Sequence, residues 1–239
     1  MTGLDIQNLS FAYGDKVALK NVSFSIPRGT FTALLGPNGA GKSTLNALLT
    51  RLFVTQEGSI SVSGHSLDHN PQKALGEIGV VFQQLTLDMD LTVNQNLRYF
   101  AALQGISGKA AHARIAQVLA QVNMSERANE TVRKLNGGHR RRAEIARSLI
   151  HNPSVLLLDE PTVGLDPQTR ASITDHVHDL AEMHGITVLW ATHLADEVRD
   201  TDHLIILNKG EIVDDGICGD IRKEHDLASY FIAQTSGAI

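Results

Sequence analysis

A chain of 239 residues with 42% hydrophobic and 20% charged side chains has the make-up of one large globular domain, or of a domain carrying an inserted subdomain. A net charge of −5 argues against a general nucleic-acid surface, and the single cysteine, Cys218, excludes an internal disulfide and fits a reducing cytoplasm. No purely aliphatic run is longer than that of Val155–Leu158, which falls far short of the ~20 apolar residues that span a bilayer.

In chain order, the opening Met1-Thr2-Gly3-Leu4-Asp5 lacks the basic-then-apolar order of a secretory signal. Residues 3–35 read as β structure. Leu4–Leu9 alternates, Val17–Leu19 and Val22–Ile26 do so loosely, and turn signals sit at Tyr13-Gly14-Asp15 and Pro27-Arg28-Gly29. The apolar run Phe31–Leu35 reads as a buried strand and Leu45–Leu49 as a helix. Between them, Gly36-Pro37-Asn38-Gly39-Ala40-Gly41-Lys42-Ser43-Thr44 fits G-x-x-x-x-G-K-[ST] at every fixed position. Strand, loop and helix in that order make a phosphate cradle. The glycines let several backbone N–H groups point at one place, and the helix start adds its positive end. Lys42 adds a full charge, and the Ser43 hydroxyl can ligate magnesium.

Strands are expected again at Gly58–Val62 and Ile78–Phe82. From Leu91 to Ile150 the period becomes helical. Thr92 with Gln95 fits a capping box that opens a helix through Leu103. Ile115, Val118, Leu119 and Val122 share a helical face, and His139–Ile150 carries charge on one side with Ile145 and Leu149 on the other. Val155–Leu158 and Ile186–Trp190 return to strand, with a helix from Pro167 to Met183 between them, which is the βαβ pattern of a parallel sheet covered by helices. Asn208-Lys209-Gly210 between Leu204–Leu207 and Glu211–Val213 signals a hairpin, and residues 220–239 read as a short surface helix and tail. Eleven histidines are scattered. His176 and His178 lie two apart, would not converge on a helix, and are expected as solvated surface groups.

Val155-Leu156-Leu157-Leu158-Asp159-Glu160 delivers two acids at the carboxyl end of a buried strand, where α/β sheets bind ligands. Asp159 is expected to hold the magnesium bound by Ser43, through water, and Glu160 to polarise the attacking water.

Leu135-Asn136-Gly137-Gly138-His139-Arg140-Arg141-Arg142 ends the helical stretch. Here the chain resembles the ATP-binding subunit of an ABC transporter, whose signature is Leu-Ser-Gly-Gly-Gln and whose motifs it matches in order over about residues 4–215. The resemblance implies an α/β fold: a P-loop NTPase core of RecA type with an N-terminal antiparallel β subdomain and an inserted all-helical subdomain. The core would span 1–87 and 153–219, the helical signature subdomain 88–152, and a surface helix and tail 220–239. It implies ATP and Mg2+ as cofactors. Asn136, Gly137 and Gly138 would contact the γ-phosphate of ATP held by another subunit, Gln83 would sense magnesium or water, and His193 would hydrogen-bond the γ-phosphate. Asp166 would lie in the loop that crosses the dimer interface, and Tyr13 would stack on adenine. Two departures stand out, Asn136 for Ser and His139 for Gln. Asn caps a helix about as well as Ser and can also donate an N–H to phosphate, whereas His at the third helical position closes a capping box poorly.

The resemblance further implies an ATPase that works as a sandwich of two copies, or of this chain and a paralogue. It would sit on the cytoplasmic face of the inner membrane through separate permease chains, with no nucleic acid involved. Asp159–Pro167 resembles the exporter branch, which favours export. The Leu135–Arg142 variant resembles a subgroup encoded with pyrroloquinoline-quinone-dependent alcohol oxidation systems, which leaves an importer as the alternative direction. A soluble ABC ATPase fits less well with one domain and a short insert. A GTPase fits less well because Asn208-Lys209-Gly210-Glu211 lacks the Asp of a base reader. Intact Lys42, Glu160 and His193 argue against a non-catalytic binding module.

Overall fold

The computed structural model describes residues 2–235. Strands β1 (Thr2–Tyr13) and β2 (Lys16–Pro27) form an antiparallel hairpin, and β3 (Phe31–Leu35) leads through a glycine loop into α1 (Lys42–Leu49). Then come β4 (Ser59–Val62), β5 (His65–Ser66), α2 (Pro71–Gly76) and β6 (Ile78–Val81). A helical stretch follows, α3 (Val93–Leu103), α4 (Gly108–Gln121) and α5 (Gly137–Ser148), before β7 (Val155–Asp159), α6 (Pro167–His184) and β8 (Thr187–Thr192). The hairpin of β9 (His203–Asn208) and β10 (Glu211–Ile217) precedes α7 (Cys218–Arg222) and α8 (Leu227–Thr235).

Two sheets result. The first, ordered β2-β1-β4-β5, is antiparallel. The second, ordered β10-β9-β3-β8-β7-β6, is parallel except for its edge strand β10. The parallel strands read as unbroken apolar runs because both of their faces are covered. Leu34, Leu157 and Leu189 pack toward the antiparallel sheet and α1, while Leu35, Leu158 and Trp190 pack toward the helices. Parallel pairing also brings the carboxyl ends of β3, β8, β7 and β6 side by side, which is where the phosphate loop, the 159–160 acids, residue 193 and Gln83 emerge.

The helical stretch forms for the reasons its sequence suggests. Gln95 N–H donates to Thr92 Oγ1 at 3.1 Å and Thr92 N–H donates back to Gln95 Oε1 at 2.8 Å, a complete capping box. Ile115, Val118, Leu119 and Val122 are all buried.

The charged side of α5 turns inward: Glu144 is fully buried and Arg141 nearly so. Arg141 donates to the carbonyls of Phe82 and Gln83 at 2.7 and 2.9 Å and pairs with Glu144 at 2.9 Å. Glu144 also accepts from the N–H and hydroxyl of Thr86. The reason is that β6 is an edge strand, so the backbone leaving it lacks sheet partners and takes side-chain donors instead. Other expectations need correction. His178, expected as a solvated surface group, is buried. It stacks on Phe31, with ring centroids 3.7 Å apart, and lies 2.9 Å from Asp202. His176 is half-buried, and burial pushes it down to about 4. At the carboxyl end there are two helices where one was expected. Leu227 of α8 is buried, and Tyr230 donates its hydroxyl proton to Asp214 at 2.9 Å. The expected tail, 236–239, lies outside the described residues.

Candidate functional site

The phosphate loop is shaped by close backbone approach. A Cβ on Gly36 would stand 2.5 Å from Leu207 O, and Gly41 combines φ +117° with a Cβ position 2.8 Å from Ala18 O, so both positions require glycine. The first intrahelical bond of α1 runs from Leu45 N–H to Gly41 O at 2.9 Å. The N–H groups of Lys42, Ser43 and Thr44 therefore stay free, at the positive end of the helix.

Around this loop opens a cleft of about 460 Å3, lined by Tyr13, Lys16–Ala18, Pro37–Thr44, Gln83 and Glu160, within the size range of small-molecule sites. Lys42 is buried, with its ammonium 2.6 Å from Gly36 O, 3.3 Å from Pro37 O and 3.5 Å from Glu160 Oε1. Burial lowers its pKa, opposed by the two neighbouring carboxylates Glu160 and Asp159. The Glu160 carboxylate is the hub of the cleft. Gln83 Nε2 donates to it at 3.4 Å and His193 Nδ1 stands 3.2 Å away, outside hydrogen-bonding geometry. Its backbone is left-handed, with φ +46°, a conformation costing about 1–3 kcal/mol that concentrates at functional sites. The strain aims the side chain at Lys42 rather than along the strand.

Asp159 ends β7 with one buried carboxylate oxygen, Oδ1, that has no partner. Its pKa is raised by burial, opposed by the neighbouring Asn46 side chain, with Glu160 adding to the shift and Lys42 opposing it. Both polar atoms of the Asn46 amide, which faces Asp159, are also buried without a partner in good hydrogen-bonding geometry. Buried polar atoms normally have partners. A buried carboxylate oxygen without a partner in good geometry, together with the serine hydroxyl and the glutamine that line the cleft, is a donor set that fits a hydrated Mg2+, whose ligands are oxygens and waters. Asp159, Ser43 and Gln83 are the residues that could hold it.

Tyr13 is nearly half exposed beside Phe11 and Phe53, with ring centroids 5.0 and 5.5 Å away and both contacts edge-on. Its hydroxyl lies 3.4 Å from Thr44 Oγ1. The free aromatic face at the mouth of the cleft suits stacking on a base.

The remaining expected residues lie elsewhere. Asn136 caps α5, accepting from His139 N–H at 2.8 Å. Asn136, Gly138 and His139 line a second cleft with Arg142, Gln168 and Thr169, and this cleft shares no lining residue with the first. Asp166 caps α6 through Thr169 at 3.0 Å. A Cβ on Gly138 would stand 2.5 Å from Thr169, and one on Gly137 2.9 Å from Leu165, so these glycines also let α5 pack on the loop beside Asp166. Sequence reasoning missed Lys16–Ala18, Asn46 and the hydrogen-bonded neighbours of residue 193. The β1–β2 turn signal could have suggested the first group; nothing local marks the others.

A family model described as "ABC transporter" matches residues 19–163. The linearmycin resistance ATP-binding protein LnrL of Bacillus subtilis is 38% identical over 211 residues, covering 88% of this chain and 68% of that protein. The Nod factor export ATP-binding protein I of Burkholderia orbicola is 38% identical over 214 residues, 89% of this chain and 70% of that protein. Among solved structures, the dimeric bacterial ABC transporter cassette MJ0796 superposes with a TM-score of 0.78 at 30% identity, covering 90% of this chain and 98% of that one.

Proposed function

The chain belongs to the ABC transporter family as an ATP-binding domain, and on that premise we propose that it hydrolyses ATP in a two-chain sandwich to drive export through separate membrane subunits. The observation that carries this reading is the separation of the two clefts: the phosphate loop and the Asn136–Gly138 segment belong to one motif set yet share no lining residue. A second chain, a copy or a paralogue, supplies the missing half. The dimeric cassette MJ0796 supports this arrangement.

In this reading the free N–H groups of Lys42–Thr44 and the Lys42 ammonium bind the phosphates, and Tyr13 stacks on the base. Asp159, Ser43 and Gln83 hold Mg2+, which neutralises phosphate charge when bound. Glu160 takes a proton from the attacking water, and His193 orients the γ-phosphate. Asn136, Gly137 and Gly138 close on the partner's nucleotide, with Asp166 at the interface.

Residues 88–152 act as the moving body against a core of 1–87 and 153–219. The clamp of Arg141 on Phe82 and Gln83 links the two. No helix among the described residues is long and apolar enough to cross a membrane. An open groove of about 290 Å3, lined among others by Leu52, Leu75, Val80, Phe82 and Phe100, is the docking place for a permease segment on the cytoplasmic face. Export follows the relatives named for linearmycin resistance and Nod factor export. Recovery of an importer-type membrane subunit by pull-down reverses the direction.

Asn136→Ala is expected to cut turnover about tenfold, the scale of one lost phosphate contact, with ATP affinity of the isolated monomer unchanged. Asn136→Ser keeps the helix cap and is expected to retain turnover. Reduced monomer affinity in Asn136→Ala, read by equilibrium nucleotide titration, places Asn136 in its own chain's site and overturns the sandwich.

A further inference from the structure

Glu197 is a carboxylate with no exposed surface, and none of the chemistry above uses it. It ends the one-turn 3-10 helix Ala195–Glu197, just beyond His193. Three donors converge on it: Trp190 Nε1 at 2.9 Å, the Thr192 hydroxyl, and the Thr162 hydroxyl. Arg170 of α6 has its Nε 3.9 Å away, and its guanidinium is held by Asp196 at 2.7 Å. Burying a carboxylate is costly unless its oxygens are satisfied, so this cluster is not an incidental surface contact.

The donors come from the two segments that carry the reacting groups. Thr162 stands two residues beyond Glu160, in the loop that runs to Asp166. Thr192 ends β8 and immediately precedes His193. Its carbonyl accepts from Gly36 N–H at 3.2 Å, at the start of the phosphate loop, and its hydroxyl accepts from Leu194 N–H at 3.0 Å. Glu160 N–H in turn donates to Ala191 O at 2.8 Å. One buried side chain thus joins the loop after Glu160, the residue before His193 and, through Thr192, the phosphate loop.

We propose that Glu197 is a positioning residue for hydrolysis, tying Thr162 to Thr192 so that His193 is held against Glu160 and follows any displacement of the loop ending at Asp166. The inference rests on the roles given above to Glu160 and His193. Gln at this position keeps the shape but presents an N–H2 group to a site built of donors, so at least one of the three bonds is lost.

The test is a double-mutant cycle in the full chain. Glu197→Gln is expected to lower kcat about tenfold with ATP affinity and KM unchanged. It should also shift the emission of Trp190, the only tryptophan of the chain, because its indole N–H loses a charged acceptor. In a His193→Ala background the same change should cost less than about twofold more, since a residue acting through His193 has nothing left to position. If the two losses multiply in full, Glu197 is structural only and the tie is overturned. If His193→Ala alone keeps wild-type turnover, the reading of His193 fails, and the tie fails with it. Thr162→Val removes one donor at equal size and is read in the same cycle if Glu197→Gln does not fold.

Discussion

Glu160→Gln is expected to slow ATP hydrolysis by about 10²–10⁴-fold, equivalent to about 3–5 kcal/mol of barrier, while ATP binding persists. The amide has the shape of the acid but cannot accept the proton of an attacking water. Binding is expected to persist because the groups proposed to face the phosphates do not depend on Glu160. The N–H groups of Lys42–Thr44 are oriented by α1, and Lys42 keeps the carbonyls of Gly36 and Pro37 at 2.6 and 3.3 Å. Losing the carboxylate 3.5 Å from the Lys42 ammonium leaves that charge freer to pair with phosphate. The variant should therefore accumulate with ATP bound as an ATP-dependent dimer. Single-turnover hydrolysis and size-exclusion chromatography in saturating Mg-ATP read the two effects. Near-wild-type turnover removes Glu160 as the base, and a strict monomer removes the sandwich.

Lys42→Ala is expected to weaken ATP binding about 100-fold, the order of one or two charge-assisted hydrogen bonds to phosphate at about 1.5–3 kcal/mol each. Lys42 is buried, so its charge acts through a medium less polarisable than water and weighs more than a surface lysine would. The substitution also leaves the nearly buried Glu160 carboxylate without its cation, which adds repulsion toward an incoming polyphosphate. Titration with a fluorescent ATP analogue measures the loss. Unchanged affinity would show that the loop N–H groups suffice and that the lysine contributes only after binding.

Much of this site was legible because its parts are contiguous. The phosphate loop needs glycines, a lysine and a hydroxyl within nine positions between a strand and a helix, and those constraints act between neighbours in the chain. The strand ending in Asp159 and Glu160, the capping box at Thr92 and Gln95, and the Asn136 cap are local for the same reason. His178 misled because polarity was taken to mean exposure, and nothing local showed that Arg141 and Glu144 turn inward. Each is buried where a distant element offers a partner: Asp202 and Phe31 for His178, and the carbonyls of Phe82 and Gln83 for Arg141. The Glu197 cluster left no mark in the sequence at all, since Thr162 and Trp190 are unremarkable where they stand.

The sequence by itself therefore determined the chemistry available: a phosphate cradle, two acids at a strand end, a capped signature helix and no apolar run long enough to span a membrane. The tertiary structure alone decided which of these groups meet. Gln83 reaches Glu160 across 77 positions because β6, β7, β8 and β3 run parallel in one sheet and release their following residues at the same edge. Asn136 stays apart because α5 is packed against α6 and the loop beside Asp166. Local patterns are set by spacing along the chain, whereas these encounters are set by strand order and burial, which no short stretch of residues contains.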